Sequence, residues 1–136
     1  MKKVLGIDLG EARVGVAASD DLGMLAHPLE TIDARATDPA KRIVELAAGC
    51  GASTIVVGIP RNMDGSRGPA AEKAMAFIEG LKKTTTVCVV GWDERLTTVS
   101  AQRALREAGR DARSQKSIID QVAAQMILQG WLDANP

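Results

Sequence analysis

The sequence predicts an α/β fold: a mixed five-stranded sheet, three antiparallel strands followed by two parallel ones, flanked by helices. Three observations predict it. Residues 3–9 and 13–19 alternate in strand fashion about a tight turn at Gly10 and Glu11. "STIVVGIP" and "TTTVCVVGW" are short, continuously apolar runs of the kind buried on both faces of a sheet. Each of these is preceded by a segment with helix punctuation, and a helical crossover between strands makes them parallel by the right-handed connection rule.

Taken in order, the first two strands are joined by a third over 24–32, which completes an antiparallel meander. In "TDPAKRIVELAAGCG", Thr37 or Asp38 can cap a helix with Pro39 at its first position, and Gly49 or Gly51 can end it. The strand "STIVVGIP" follows, then the loop "RNMDGSRG", and Pro69 opens a helix reaching about Leu81. "TTTVCVVGW" is the fifth strand, and "TTVSAQRALREAG" is a third helix capped by Thr97 or Thr98. A polar, Arg-containing loop then leads into a last helix from about Lys116 to Asp133. No linker, repeat or low-complexity tract interrupts the 136 residues, so residues 1–136 are expected to form a single domain.

Composition narrows the chemistry. No apolar run approaches the ~18 residues of a membrane span, and Asp8 interrupts the apolar N-terminal segment, so neither a membrane protein nor a secretory signal is expected and the cytoplasm is the expected compartment. Cys50 and Cys88 form no CxxC pattern and are expected to be free, buried thiols. With one histidine, His27, placed before a proline in "LAHPLE", a structural zinc site is excluded, and acid-base or metal chemistry falls to carboxylates. Seventeen basic and seventeen acidic residues leave no net field, so any nucleic-acid binding requires a local patch. The scarce aromatics, Phe77, Trp92 and Trp131, argue against a base-stacking platform.

Three carboxylates could meet. In "VLGIDLGEARVGVA" the strand period puts Leu5, Ile7 and Leu9 on one face and Val4, Gly6, Asp8 and Gly10 on the other. Asp8 therefore shares its face mainly with glycines, which let something approach the backbone closely; a plain turn-capping role is the alternative. Open sheets of this kind bind ligands beyond the carboxyl ends of parallel strands. Three segments reach that edge: Asp8 to Glu11, Arg61 to Ser66 and Trp92 to Arg95. In "GWDERLTT" one of Asp93 and Glu94 can aim at Asp8 while the other faces away, and spacing does not choose between them. In the last helix, Asp120 falls within the margin of the apolar arc formed by Ile118, Ile119, Val122, Ala123, Met126, Ile127 and Trp131. A salt bridge to Lys116 at i, i+4 is its alternative use. A converging trio would repel itself unless a cation sat among it. All-oxygen ligation suits Mg²⁺ or Mn²⁺ and matches two-metal phosphodiester cleavage, which needs no histidine.

The segments "GIDLGEARVGVAASD", "VVGIPRNMDGSRG", "DERLTTVSAQ" and "IIDQVAAQMILQGWLD" resemble, in order and across essentially the whole chain, the four blocks of the YqgF-type bacterial nucleases. The resemblance implies an RNase H-like fold, Mg²⁺ or Mn²⁺ as cofactor, and Asp8, Glu94 and Asp120 as the acidic site, so it favours Glu94 over Asp93. It also implies a nuclease acting in 5′-end maturation of pre-16S rRNA, with the ribosome or its precursors as partners, or a Holliday junction resolvase acting on branched DNA. Two departures stand out: "EARVG" has Ala12 where a Lys-Arg pair is the pattern, and "AGRDARSQKS" is less basic than the corresponding loop of many relatives.

For nucleic-acid contacts the candidates are Arg13, Arg61, Asn62, Ser66, Arg95, Arg113 and Lys116. Arg103, Arg106, Arg110 and Arg113 recur at helical spacing and could track a phosphate backbone, or form a solvated face beside Glu107. Arg95 adjoins Glu94, and the loop with Asn62, Asp64, Gly65 and Ser66 could hold a phosphate through backbone N–H groups and the Ser66 hydroxyl. Two other readings keep the fold. One is a non-catalytic rRNA-binding assembly factor. The other is an ATP-binding half-domain, because "DLGEARVGVA" also resembles the phosphate hairpin of the actin and Hsp70 superfamily, although no second hairpin of that pattern follows. A resolvase making paired cuts would be a homodimer, whereas an rRNA-trimming enzyme can be a monomer.

Overall fold

The computed structural model describes residues 3–61, 64, 66–96 and 116–136, with side chains at all of these except 116–120. The strands are β1 (Lys3–Leu9), β2 (Arg13–Ser19), β3 (Ala26–Asp33), β4 (Ala52–Ile59) and β5 (Cys88–Asp93). The helices are α1 (Pro39–Cys50), α2 (Pro69–Thr84) and α3 (Lys116–Ala134), and Glu94–Leu96 form one 3-10 turn. The sheet order is β3-β2-β1-β4-β5. β1 runs antiparallel to β2 and parallel to β4, β2 antiparallel to β3, and β4 parallel to β5. This is the mixed sheet expected from the crossovers. The predicted third helix and its Thr97 or Thr98 cap lie outside the described residues.

Local chemistry sets the boundaries. Asp38 is the N-cap of α1, its carboxylate accepting the Ala40 N–H at 3.1 Å, and Pro39 takes the first helical position. Gly51 ends α1 in the left-handed region (φ 69°), where a side chain would be strained. α2 runs one turn past the predicted Leu81, to Thr84, before Thr85 turns extended.

The two sheet faces build two cores. Leu5, Ile7, Val14, Val16, Ile55 and Val57 point toward α1 and α2 and pack with Ile43, Ala47, Ile78 and Leu81. Val4, Ala17 and Val56 point the other way and pack against Ala124, Ile127, Leu128 and Leu132 of α3. Leu128 is fully buried, and removing such a side chain from water is worth about 1.5–3 kcal/mol. Ile55, Val56 and Val57 are all fully buried, as a central parallel strand requires.

Two expectations are corrected. β5 is not buried along its length: it is a sheet edge, begins only at Cys88, and buries only Val89 fully. Thr85 and Val87 instead form a turn in which the Val87 N–H donates to Thr85 Oγ1 at 3.1 Å. For the same reason Cys88, the first residue of that edge, is exposed, while Cys50 is half-buried; both thiols are free.

The opposite edge, β3, is managed by α3. Gln121 Nε2 donates to Thr31 Oγ1 (3.1 Å), Gln125 Nε2 donates to the Ala26 carbonyl (3.0 Å), and Gln129 Oε1 accepts the Ala26 N–H (2.9 Å) while its Nε2 donates to the Met24 carbonyl (3.0 Å). Gln125 and Gln129 thus satisfy backbone groups at the start of an edge strand, and Gln121, one turn earlier, holds a side-chain hydroxyl of the same strand. Pro28 and a register shift between Val16 and Ala17 in the β2–β3 pairing further blunt that edge.

Candidate active site

The face of the sheet under α3 has two gaps where side chains are missing. A Cβ on Gly6 would stand 2.5 Å from Leu128 Cβ and 3.0 Å from the Ala124 carbonyl oxygen, so α3 rests on the β1 backbone there. A Cβ on Gly58 would stand 2.6 Å from Ile127 Cδ1 and 3.1 Å from Glu94 Oε2. The Glu94 carboxylate therefore lies over β4 on the α3 side of the sheet. One step beyond the last paired residues, Ile7 and Val57, the β1–β4 register brings Asp8 opposite Gly58. Asp8 and Glu94 thus converge on the same glycine from neighbouring elements.

Electrostatics agrees with this placement. Burial, followed by the charge of Asp8 and that of Asp93, pushes the Glu94 carboxyl up to about 7. A carboxylate that another carboxylate repels, half-buried among oxygen donors, is the environment a hard divalent cation relieves, so the donor chemistry fits Mg²⁺ or Mn²⁺.

The turn that ends β5 gives Asp93 and Glu94 different surroundings. Asp93 Oδ1 accepts the Arg95 backbone N–H at 2.9 Å, and its carboxylate is gripped by the Arg95 side chain at 2.7–3.1 Å. That pairing holds the Asp93 carboxyl below its ordinary range and keeps it ionised away from Asp8, while the 3-10 turn swings Glu94 over the sheet. Arg95 is consequently engaged with Asp93, not Glu94.

α3 runs antiparallel to β1: Leu132 shares a pocket with Val4, and Leu128 and Ala124 lie at Gly6. Its N-terminal end is therefore directed toward the carboxyl edge where Asp8 stands. Position 120 lies four residues before Ala124, about 6 Å further along the axis. The helix backbone thus carries position 120 toward that edge, while the side chains of Asp120 and Lys116 lie outside the described residues, as do Asn62 and Arg113.

Other predicted residues gather at the same edge. Arg61 follows β4; its buried Nε has no hydrogen-bond partner among the described residues, and its charge helps hold Asp93 ionised. Ser66 donates its backbone N–H and its hydroxyl to Asp64 Oδ1 at 2.9 and 2.6 Å, closing that loop on itself. Arg13 opens β2, paired with Asp33 of β3 in the register.

Two contributions were not read from the sequence. Lys73 of α2 reaches across to donate to the Gly10 carbonyl at 3.2 Å, tying down the turn after Asp8. Thr31 lies in the row Asp8–Gly15–Thr31 across β1, β2 and β3, and Gln121 bonds it from the residue next to Asp120. The period of four in Gln121, Gln125 and Gln129 was the visible signal for the latter; Lys73 had none.

Comparison with known proteins agrees with this architecture. The RuvX family, described as Holliday junction resolvase, matches residues 2–134. A protein of Acetivibrio thermocellus named "Putative pre-16S rRNA nuclease" is 47% identical over 135 residues, covering 97% of this chain and 96% of its own. One of the same name from Ruegeria sp. is 46% identical over 134 residues, covering 98% and 85%. Among solved structures, Thermus thermophilus RuvC in complex with a Holliday junction substrate superposes with a TM-score of 0.56 at 16% identity, covering 99% of this chain and 97% of that one; it shares the RNase H-like fold. With a family match spanning nearly every residue and close relatives aligned end to end, the chain belongs to the RuvX family.

Proposed function

We propose that this chain is a divalent-metal-dependent endonuclease, a single RNase H-like domain that hydrolyses phosphodiester bonds in 5′-end maturation of pre-16S rRNA. The observation that carries the reading is the convergence of Asp8 and Glu94 over Gly58, with the Glu94 carboxyl pushed up by burial and by Asp8. Two acidic groups held together at the carboxyl edge of a parallel pair are costly unless a cation answers them. Asp8, Glu94 and Asp120 are the proposed ligands. Mg²⁺ or Mn²⁺ bound there supplies water activation and stabilisation of the leaving oxygen.

The protein's own groups orient the substrate. Arg61, with a buried donor that has no partner among the described residues, and Arg13 flank the acidic pair, and Ser66, Asn62, Arg95, Arg113 and Lys116 complete the proposed contact set. Arg95 reaches a phosphate only by sharing or leaving Asp93. The names of the close relatives support an rRNA substrate.

The family description and the RuvC likeness of the fold favour a second reading, resolution of four-way DNA junctions, which requires a homodimer to make paired cuts. The test incubates the protein with Mg²⁺ or Mn²⁺ and either a precursor 16S rRNA fragment or a four-way DNA junction, beside Asp8→Asn. Cleavage of the rRNA fragment that Asp8→Asn abolishes is the expected result; selective cleavage of the junction selects the second reading. Binding without cleavage under every metal condition would leave an assembly factor, and undiminished cleavage by Asp8→Asn would remove the site.

A further inference from the structure

A groove adjoins the acidic site on the side away from Glu94. It is lined by Ala12, Arg13, Thr31, Asp33 and Arg35. In the sheet it lies two strands from Asp8: Asp8 pairs with Gly15, and Gly15 pairs with Thr31. Neighbouring strands are about 4.8 Å apart, so the groove wall at Thr31 is roughly 10 Å from the Asp8 strand. Gly15 between them is buried, with Gln121 of α3 reaching over to Thr31, so the open route from Asp8 to the groove follows the rim of the sheet, past the turn where the Gly10 N–H donates to the Arg13 carbonyl.

The groove is built rather than incidental. The Ala34 N–H donates to the Ala12 carbonyl at 3.0 Å, joining the end of β3 to the turn after Asp8. Asp33 Oδ1 accepts the Arg35 backbone N–H at 2.9 Å, and the Asp33 carbonyl accepts the N–H groups of Ala36 and Thr37 at 3.2 and 3.0 Å. Gln121 of α3 donates to Thr31 Oγ1 and fixes the opposite wall. Two guanidinium residues face one carboxylate, Asp33. Arg35 is exposed and makes no ion pair among the described residues.

We propose that this groove is a phosphate subsite for the strand being cut: the backbone leaves Asp8, follows the rim past the β1–β2 turn and sets a neighbouring phosphate against Arg13 and Arg35. The subsite rests on the nuclease reading of the acidic site. Arg35 supplies charge and orientation to the flanking strand and takes no part in bond cleavage. Its position just past the end of β3, on the same rim of the sheet as Asp8, is what relates it to the site.

The test compares wild type, Arg35→Gln and Arg35→Glu with Lys83→Gln, a surface change at the far end of α2, as control. The probes are a precursor 16S rRNA fragment and a four-way DNA junction, each assayed for cleavage with Mg²⁺ and for equilibrium binding with the metal chelated, across a salt series. Loss of one phosphate contact is expected to weaken binding about fivefold for Arg35→Gln, and more for Arg35→Glu. The slope of log affinity against log salt should fall by roughly 0.7–0.9, with kcat within about twofold of wild type. Unchanged affinity, KM and salt slope in both Arg35 variants would overturn the subsite while leaving the nuclease reading intact. Weakened, less salt-sensitive binding by Arg35 variants of a wild type that cleaves neither probe would keep Arg35 as a phosphate contact but overturn its role beside a strand being cut, together with the nuclease reading. A wild type that binds neither probe would overturn both.

Discussion

Replacing Glu94 by Gln is expected to stabilise the protein when divalent ions are chelated, and the gain is expected to depend on pH. An unfolded glutamate titrates near 4.5, whereas in the fold the carboxyl is pushed up to about 7, first by burial and then by Asp8 and Asp93. Between those two values the unfolded chain releases the proton that the folded chain retains, so stability falls as pH rises through the window. The penalty is absent below about 4.5 and complete above about 7. At 1.36 kcal/mol per pH unit the full gap is worth roughly 3 kcal/mol, and water reaching the half-buried group reduces this to about 1–2 kcal/mol. The neutral amide escapes the penalty. Urea unfolding followed by far-UV circular dichroism, in chelator at pH 5 and pH 8, reads the difference between variant and wild type; other titrating groups cancel in that comparison. At pH 8 the variant should gain about 1–2 kcal/mol over its pH 5 difference, and saturating Mg²⁺ should favour wild type instead through ligand linkage. A difference that is flat between the two pH values would refute the electrostatic account of the site.

Gly58→Ala is expected to displace the Glu94 carboxylate and Ile127, costing about 1–2 kcal/mol and weakening Mn²⁺ binding measured by calorimetry; wild-type Mn²⁺ affinity would show the crowding to be harmless. Arg42→Met removes the two-pronged bond from α1 to Glu30 of β3 (2.7 and 2.8 Å), a partly exposed pair worth about 0.5–1 kcal/mol. Because Arg42 holds the Glu30 carboxyl below its ordinary 4.5, that loss should be seen at neutral pH and should vanish as acid protonates Glu30 in the folded state; denaturant titrations at pH 7 and pH 3 compare the two. Gln129→Leu strands the Ala26 N–H and the Met24 carbonyl, for about 1–2 kcal/mol, and should speed hydrogen exchange at the Ala26 amide; unchanged protection there would mean that the amide is covered by something else.

What could be read from the residues was what local chemistry controls. Asp38, Pro39 and Gly51 mark α1 because a cap, a fixed φ and a left-handed end are each properties of one residue type. The alternation in 3–9 and 13–19 placed Asp8 on its face because the strand period leaves no second choice. The apolar run "TTTVCVVGW" overstates β5 because it does not say which strand is an edge; that follows only from the complete sheet order. Asp93 and Glu94 could not be separated by spacing because the chain leaves the strand between them for a 3-10 turn, where the Arg95 grip on Asp93 determines which carboxylate swings inward. The contribution of Lys73 depends on a contact 63 residues distant in the chain, and no local pattern announces it.

The seat of α3 on Gly6 has one more implication. A rod whose ridge drops into a notch of bare main chain cannot creep along its track; it must lift out and re-engage a whole turn away, about 5.4 Å on. The distance from position 120 to Asp8 is therefore indexed in steps, each larger than a metal–oxygen bond of about 2 Å, so a slipped helix carries no half-built cation cage. In the proposed site, the placement of Asp120 is then tied to one seating of the helix, and a methyl group at Gly6 is expected to be felt at the far rim of the sheet as well as where it is added.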